Sequence, residues 1–288
     1  MKKLLKKTLI LMIATILTFS SITVQADDTH NNWVSQILND YEPFQKMIKQ
    51  NPNAKMVQNN TEYLLTETIK DKEGNILETN KQTFSTMSNM IAYENQLKQK
   101  DMIRVYSIGD GEIKYKTYTK MKVGLALYKY NSSEFFVAFV YDWLTQPDYD
   151  IFTYYKAVVG LALDSGLVMD GTSYGGRVTL KLINGNTIIR NDLNGGVSIK
   201  ATGTQGIGYK IKESHQTNGA IVDMEGVISC DAYKASPSYN YCSAYGEYAD
   251  VSYTFNLDSF SVSFPAGISF SAATEKTSYN YQDALYIN

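Results

Sequence analysis

Apolar residues near the start of the chain recur at steps of three and four positions between Asn32 and Gln50. This spacing places them on one face of a helix, with polar residues on the other face. The pattern therefore predicts an amphipathic helix over 32–50, which Pro43 can divide into two because proline lacks the backbone donor. The residues of the apolar face are Trp33, Val34, Ile37, Leu38, Tyr41, Phe44, Met47 and Ile48.

Much of the remaining chain alternates apolar and polar residues, which is typical of half-buried β-strands. The ranges 62–70 and 75–84 flank a turn that contains Gly74, and together they predict a β-hairpin. A second hairpin is predicted around Asn184-Gly185, since this dipeptide between alternating segments favours a tight turn. Both hairpins indicate antiparallel pairing.

The middle of the chain contains continuous apolar and aromatic runs rather than alternating ones. The runs 123–130 and 134–144 predict central strands that are buried on both faces. Strands are also predicted at 102–108 and 112–122, and Gly109-Asp110-Gly111 between them predicts a third hairpin. The range 88–100 fits either a short helix or a strand.

Short strands separated by closely spaced turns define the predicted fold class. We expect a mainly β protein, either an antiparallel β-sandwich or an open barrel, with an N-terminal amphipathic helix. One domain over 27–288 is predicted, and a sub-boundary near 166–176 is the alternative. The later predicted strands are 197–200, 208–212, 220–230, 246–257 and 260–264.

The first 26 residues have the order of a secretory signal peptide. Four lysines within the first seven residues precede an apolar run from Leu9 to Phe19, and the segment ends in Val24-Gln25-Ala26, a small-x-small cleavage pattern. The apolar run is shorter than the roughly 20 residues of a membrane-spanning helix, so cleavage after Ala26 is favoured over an anchor. No later apolar run reaches that length. The sequence therefore predicts a secreted, extracellular protein without a transmembrane helix in its mature part.

Removal of the signal peptide makes the protein distinctly acidic. The mature part has 262 residues, with 23 basic residues against 29 acidic ones and a formal charge of −6. Nucleic acid is therefore not predicted as a partner, and anionic lipid is not predicted as an electrostatic one. The chain has 24 lysines but three arginines, and this composition with a lysine-led signal peptide favours a Gram-positive bacterial source.

Cys230 and Cys242 are the two cysteines of the chain, and eleven residues including Pro237 separate them. In an exported protein this spacing predicts one disulfide that closes a surface loop. A loop of this size would contribute roughly 3 kcal/mol to stability in the chain-entropy model. Two free thiols are the alternative, because many bacteria rarely use disulfides outside the cell.

Histidine is too scarce for most catalytic or metal-binding constellations. The chain has only His30 and His215, whereas a zinc site needs three or four His, Cys or acidic ligands. A serine nucleophile normally needs a histidine base, and no Gly-x-Ser-x-Gly motif is present. We therefore predict no cofactor, no metal site and no catalytic residue, and we favour a protein that is not an enzyme.

Three acidic residues, Asp142, Asp148 and Asp150, lie close in sequence to Trp143 and Tyr149. Paired carboxylates beside aromatic rings are one arrangement that hydrolyses glycosides. Acids beside a proline turn more often cap and solubilise it. A divergent glycoside hydrolase is therefore the third functional hypothesis.

Tyrosines crowd the region around the two cysteines, and Tyr239 and Tyr241 fall within the predicted loop. An exposed tyrosine offers a flat apolar face and a hydrogen-bonding tip, which suits sugar or protein surfaces. With Trp143 and Tyr149 they form the set of candidate binding residues. The leading hypothesis is a non-enzymatic extracellular or cell-surface binding protein whose partner is cell-wall glycan or another surface protein.

Two segments near the C-terminus, 251–257 and 260–264, alternate aromatic or aliphatic residues with serine, threonine and asparagine. Strands of membrane β-pores have this pattern. Both segments are shorter than the roughly 9–11 residues that a membrane-spanning strand needs. A secreted membrane-active protein, pore-forming or bacteriocin-like, is therefore the second hypothesis.

Overall fold

Antiparallel strands dominate the structure, a computed structural model. It describes residues 32–71, 76–105, 115–145, 157–191, 197–201, 205–211, 221–251, 260–270 and 276–287. The predicted signal peptide with Ala26 lies outside these residues, as do the two histidines, Asp148, Tyr149 and Asp150.

Three helices and fourteen strands form within the described residues. The helices are α1 (Asn32–Asn39), α2 (Glu42–Gln50) and α3 (Met87–Val105). The strands are β1 (Lys55–Lys70), β2 (Ile76–Phe84), β3 (Tyr115–Lys129), β4 (Glu134–Trp143), β5 (Ala157–Leu163), β6 (Leu167–Leu182), β7 (Thr187–Asn191), β8 (Val197–Ala201), β9 (Gly206–Ile211), β10 (Ile221–Lys234), β11 (Tyr241–Val251), β12 (Phe260–Ser263), β13 (Gly267–Phe270) and β14 (Lys276–Tyr286).

These strands form two main sheets and a separate hairpin in the described part of the chain. The seven-stranded sheet has the order β2-β1-β3-β4-β10-β6-β7, and the five-stranded sheet has the order β14-β11-β5-β9-β8. Inward-facing residues of both sheets belong to one apolar core. The prediction of a mainly antiparallel β-sandwich is therefore confirmed.

Strand β4 lies at the centre of the molecule and is buried on both faces, as the sequence predicts. Phe139 and Tyr141 face inward, and the Tyr141 hydroxyl lies 3.1 Å from that of Tyr209 in the five-stranded sheet. Phe136 and Val140 face outward and are covered by the N-terminal helices. This double coverage explains why the β4 sequence is a continuous apolar run.

The predicted amphipathic helix forms as two helices on the outer face of the seven-stranded sheet. Pro43 lies in the first turn of α2, where a missing N–H costs no helical hydrogen bond. Tyr41, between the helices, is buried, and its hydroxyl lies 3.0 Å from that of Ser229. The split at Pro43 is therefore confirmed, and the helices are tied to the sheet.

Two of the three predicted hairpins are present, and the turn of the third, 109–111, lies outside the described residues. Strands β1 and β2 pair from Tyr63 opposite Phe84 to Lys70 opposite Ile76, and β6 and β7 pair across Gly185, whose φ is +84°. A positive φ is readily accessible only to glycine, which explains the Asn-Gly signal.

Other element predictions need correction. Residues 88–100 are helical, and the strand predicted at 102–108 is wrong over 102–105, which continue α3. The described residues of two predicted strands, 112–122 and 123–130, fall in a single strand, β3, which ends at Lys129. Strand β6 runs through most of the alternative sub-boundary at 166–176, and a single domain over 27–288 stays a prediction.

The hairpin of β12 and β13 covers part of the outer face of the five-stranded sheet. Phe260, Val262 and Ile268 pack there in a cluster that includes Val158 and Tyr245. The buried Glu247 carboxylate accepts a hydrogen bond of 2.7 Å from the Ile268 N–H. Residues 252–257 of the first β-pore-like segment lie outside the described residues.

No helix among the described residues is both long enough and apolar enough to cross a membrane.

Candidate functional site

Trp143 is buried, so its predicted role as a surface binding residue is wrong. It faces inward from the last position of β4, and its ring lies edge-on to two tyrosine rings of the five-stranded sheet. The centroids of Tyr248 and Tyr279 are 5.3 and 5.0 Å from that of Trp143. Trp143 therefore joins the two sheets and presents no ring face to a ligand.

The predicted disulfide between Cys230 and Cys242 is not formed, and both residues are free and buried. Cys230 lies in β10 of the seven-stranded sheet and Cys242 in β11 of the five-stranded sheet. Both face the shared core, where burial raises the pKa of each thiol. The two cysteines are therefore inert core residues rather than a clamp on a surface loop.

Asp142 lies on the outer face of the seven-stranded sheet, opposite Lys122 of β3 and Glu225 of β10. Burial, followed by the nearby carboxylates of Asp223 and Glu225, raises the pKa of Asp142 to about 7 against the opposing charges of Lys122 and Lys181. Asp142 therefore holds its proton far more readily than an ordinary aspartate. Its predicted partners Asp148 and Asp150 lie outside the described residues.

Tyr239 and Tyr241 are exposed, as a binding role requires. Tyr239 is 40% exposed in the loop that leads from β10 to β11, and Tyr241 is 63% exposed at the first position of β11. The loop is held by a turn in which the Tyr239 N–H donates to the Ser236 carbonyl at 3.1 Å. The positions of both rings are thus set by a short turn and the start of a strand.

Tyr286, which the sequence did not single out, lies directly opposite Tyr241 on β14. It is 66% exposed, and both side chains lie on the outer face of the five-stranded sheet because their strand neighbours, Cys242 and Leu285, face the core. Side chains directly opposite each other on antiparallel strands have Cβ atoms about 4.5–5.5 Å apart. We name Tyr239, Tyr241 and Tyr286 the tyrosine surface.

The backbone beneath Tyr286 is held by a side chain from the other sheet. The Gln58 amide donates to the Ala284 carbonyl at 2.8 Å and accepts from the Tyr286 N–H at 3.0 Å. These two bonds occupy backbone groups of β14, an edge strand that otherwise offers them to another chain. Gln58 therefore fixes Tyr286 and blocks strand addition at that point.

Polar residues continue the outward face of both strands beyond the tyrosine pair. Gln282 and Asn280 are exposed four and six positions before Tyr286 on β14, and Ser243 lies two positions after Tyr241 on β11. The Ser243 N–H donates to the Asp164 carboxylate at 2.8 Å, which anchors the turn after β5 beside it. Aromatic rings with neighbouring amides form a surface suited to hydroxyl-rich or peptide ligands.

The sequence alone could not pair Tyr241 with Tyr286, because the two are 45 positions apart and register depends on the whole β11–β14 alignment. The available signal was the alternation in 276–286, which places Tyr279 and Tyr281 on one face and Tyr286 on the other.

No protein-family model and no curated protein matches this chain. Among solved structures, the collagen-binding subdomain of Enterococcus faecalis surface protein ACE matches 52% of this chain and 87% of its own, at 7% identity and a TM-score of 0.32. The major pilin subunit BcpA of Bacillus cereus matches 80% of this chain and 69% of its own, at 8% identity and a TM-score of 0.32. A collagen-binding domain from a Staphylococcus aureus adhesin matches 53% of this chain and 88% of its own, at 9% identity and a TM-score of 0.29. These scores are too low to transfer a ligand to this chain.

Proposed function

We propose that this protein is an extracellular or cell-surface binding protein that uses the tyrosine surface to hold cell-wall glycan or another surface protein. The observation that carries the proposal is the cross-strand pair of Tyr241 and Tyr286, each about two-thirds exposed on the outer face of the sandwich. Tyr141, Tyr209 and Tyr248, by contrast, are fully buried in the core.

The pair is suited to binding because little conformational freedom is lost when a ligand covers it. Tyrosine has two side-chain torsions and a large rigid contact area, so it binds at low entropic cost. The strand pairing and the Gln58 bonds already fix the backbone at both positions. Preorganisation of this kind raises affinity without adding contacts.

Charge favours a neutral or basic partner. Without the predicted signal peptide the chain carries a formal charge of −6, and the exposed residues on the same face of β14 include the amides Asn280 and Gln282. Sugar hydroxyls and peptide groups pair with amides and tyrosine hydroxyls, whereas acidic polymers are repelled by the whole molecule.

The proposal is tested by incubating purified protein with whole bacterial cells, isolated peptidoglycan and neutral liposomes in parallel. We expect retention on cells or peptidoglycan, and we expect Tyr241→Ala/Tyr286→Ala to reduce it at least about tenfold, because two central aromatic contacts are lost. Tyr233→Ala is the matched control, since Tyr233 is 47% exposed on the outer face of the other sheet. Equal retention of all three proteins would refute the proposal.

The liposome sample and a separate glycosidase assay distinguish the two other functional hypotheses. Retention on liposomes with release of a trapped dye would favour a membrane-active protein. Turnover of chromogenic glycosides that Asp142→Asn abolishes would favour a glycoside hydrolase.

A further inference from the structure

A pocket of about 230 Å³ opens on the outer face of the seven-stranded sheet. Helix α2 forms one wall, and β6 and β10 form the other. The tyrosine surface lies on the outer face of the opposite sheet, so the pocket is a separate feature. Its volume suits a single side chain or a small molecule rather than a polymer.

The pocket is lined by both apolar and acidic residues. Pro43, Met47 and Phe136 supply apolar surface, and Asp231 supplies a carboxylate from β10. Glu42, in the first turn of α2, adds a second carboxylate, and Lys46 is the single cation among the lining residues that the structure describes. The lining is thus net negative, with apolar surface alongside.

The hydroxyl groups around Asp231 already donate their hydrogen bonds within the protein. Tyr130 and Ser173 both donate hydrogen bonds to the Asp231 carboxylate. Burial, followed by the hydrogen bond to Asp231 and the charge of Asp231, raises the pKa of Tyr130, so its phenol stays protonated as a donor. The Thr172 hydroxyl donates to Asp170 at 2.8 Å and does not compete for a ligand's acceptors.

The Asp231 carboxylate, in contrast, can accept further hydrogen bonds from a ligand. An ionised carboxylate accepts about four hydrogen bonds, and these two hydroxyls use two of them. Ser173 and Thr172 also belong to the lining of the pocket. A ligand that fits must bring donors and positive charge at one end and an alkyl stem at the other.

The walls of the pocket are fixed by close packing. A side chain at Gly175 would overlap Pro43 Cγ, 2.8 Å from the ideal Cβ position, so the sheet and the start of α2 meet closely there. The pairing of β6 with β10 is irregular between Cys230 and Ala232, where the β6 segment 170–173 lies opposite. The Asp170–Thr172 hydrogen bonds hold that segment in place.

We infer that this pocket binds a primary ammonium group on an alkyl stem, as in a lysine side chain of a partner protein, with Asp231 and Glu42 as its counter-charges. An ammonium group has three donors and no acceptor, which matches the carboxylate acceptors of the lining. The four-carbon stem lies along Pro43, Met47 and Phe136 in the way that lysine stems cover apolar surface. The inference does not rest on the tyrosine surface.

The test is calorimetric titration of the full protein with Nα-acetyl-lysine methylamide, beside two comparison probes. Nα-acetyl-norleucine methylamide keeps the alkyl stem but lacks the ammonium, and glucose represents a neutral hydroxyl ligand. We expect saturable binding of the lysine probe and no measurable binding of the other two. Binding of glucose alone, or of the lysine and norleucine probes alike, would overturn the inference, as would no binding of any probe.

Variants locate the site. Asp231→Asn should weaken the lysine probe at least about tenfold, because one charge of the pair is removed. Glu42→Gln, an exposed helix position whose change does not threaten folding, should weaken it roughly threefold through loss of long-range attraction. Glu78→Gln, at an exposed position of β2 on the far edge of the same sheet, is the control and should leave binding unchanged, as should Tyr241→Ala/Tyr286→Ala. Unchanged binding in both Asp231→Asn and Glu42→Gln would place the lysine probe elsewhere.

Discussion

Trp143 contacts Tyr248 and Tyr279 edge-on, at centroid distances of 5.3 and 5.0 Å. Edge-on aromatic pairs add about 0.5–1.5 kcal/mol each beyond the apolar area that they bury. Trp143 belongs to the seven-stranded sheet and both tyrosines belong to the five-stranded sheet. These ring contacts therefore hold the two sheets together directly.

We therefore expect Trp143→Ala to lower the free energy of unfolding by about 3–5 kcal/mol, the range for large aromatic residues in cores. Urea unfolding followed by circular dichroism measures this difference. Tyr241→Ala, on the surface, should change stability by less than about 0.5 kcal/mol. A smaller effect for Trp143→Ala than for Tyr241→Ala would contradict the placement of both residues.

The two cysteines give a second expectation for single residues. Both are free and buried, and burial raises the pKa of each thiol, so a thiol reagent should not react with the folded protein. Unfolding in denaturant without reductant should release two reactive thiols per chain. Reactivity that appears only after reduction would show a disulfide and restore the expectation from the sequence.

Asp142 provides a pH dependence. The pKa of its carboxyl is about 7 in the folded protein against an ordinary 3.8, so the folded protein binds this proton more tightly than the unfolded chain. Its contribution to the free energy of unfolding therefore falls as pH rises from about 4 to about 7 and is level above that.

Asp142→Asn removes this contribution, so the stability difference between variant and native protein should grow in favour of the variant from pH 4 to pH 7. Urea unfolding at several pH values measures it. Asp170→Asn is the control, because hydrogen bonds from Thr172 lower the pKa of Asp170 and its titration lies below this window. A flat difference for Asp142→Asn would show that Asp142 is ionised in the folded protein.

The sequence predicted correctly those features of the helices and strands that depend on neighbouring residues in the chain. The Asn-Gly turn, the split of the N-terminal helix at Pro43 and the two-sided burial of β4 all follow from features within a few residues. Residues 102–105 join α3 because a helix that has begun extends as far as its neighbours permit. Alternation alone could not reveal that continuation.

Long-range register accounts for the errors at the candidate site. Whether Trp143 faces inward depends on its alignment with β3, where it lies opposite Met121, and no local signal sets that parity. Tyr286 was missed for the same reason. Exposure of Tyr239 and Tyr241 was predicted because a turn sequence marks the surface wherever the strands lie.

The two sheets pack closely at Gly246, and stability should depend on this contact. Gly246 of β11 lies against the ring of Phe139 of β4, and an added Cβ would overlap that ring. Gly246→Ala should therefore lower the free energy of unfolding by about 1–3 kcal/mol through overpacking. Gly171→Ala, with no atom near its Cβ position, should change it by less than about 0.5 kcal/mol, again by urea unfolding. Equal effects would mean that the sheets are not closely packed at Gly246.

At the scale of the whole molecule, the sandwich presents different chemistry on its two outer faces. The outer face of the seven-stranded sheet carries the N-terminal helices, Asp142 with its neighbours Lys122 and Glu225, and the pocket that contains Asp231. The five-stranded sheet carries the β12–β13 hairpin and the tyrosine surface. The two proposed binding sites therefore lie on different faces and share no residue.

We expect the tyrosine surface to be covered when the protein is bound to whole bacterial cells. Nitration of tyrosines, located by peptide mass spectrometry, tests this with protein free in solution and with protein bound to whole bacterial cells. We predict that Tyr241 and Tyr286 are nitrated in the free protein and protected on cells, while Tyr233 is nitrated equally in both. Nitration of Tyr241 and Tyr286 that is unchanged on cells would contradict the proposed binding surface.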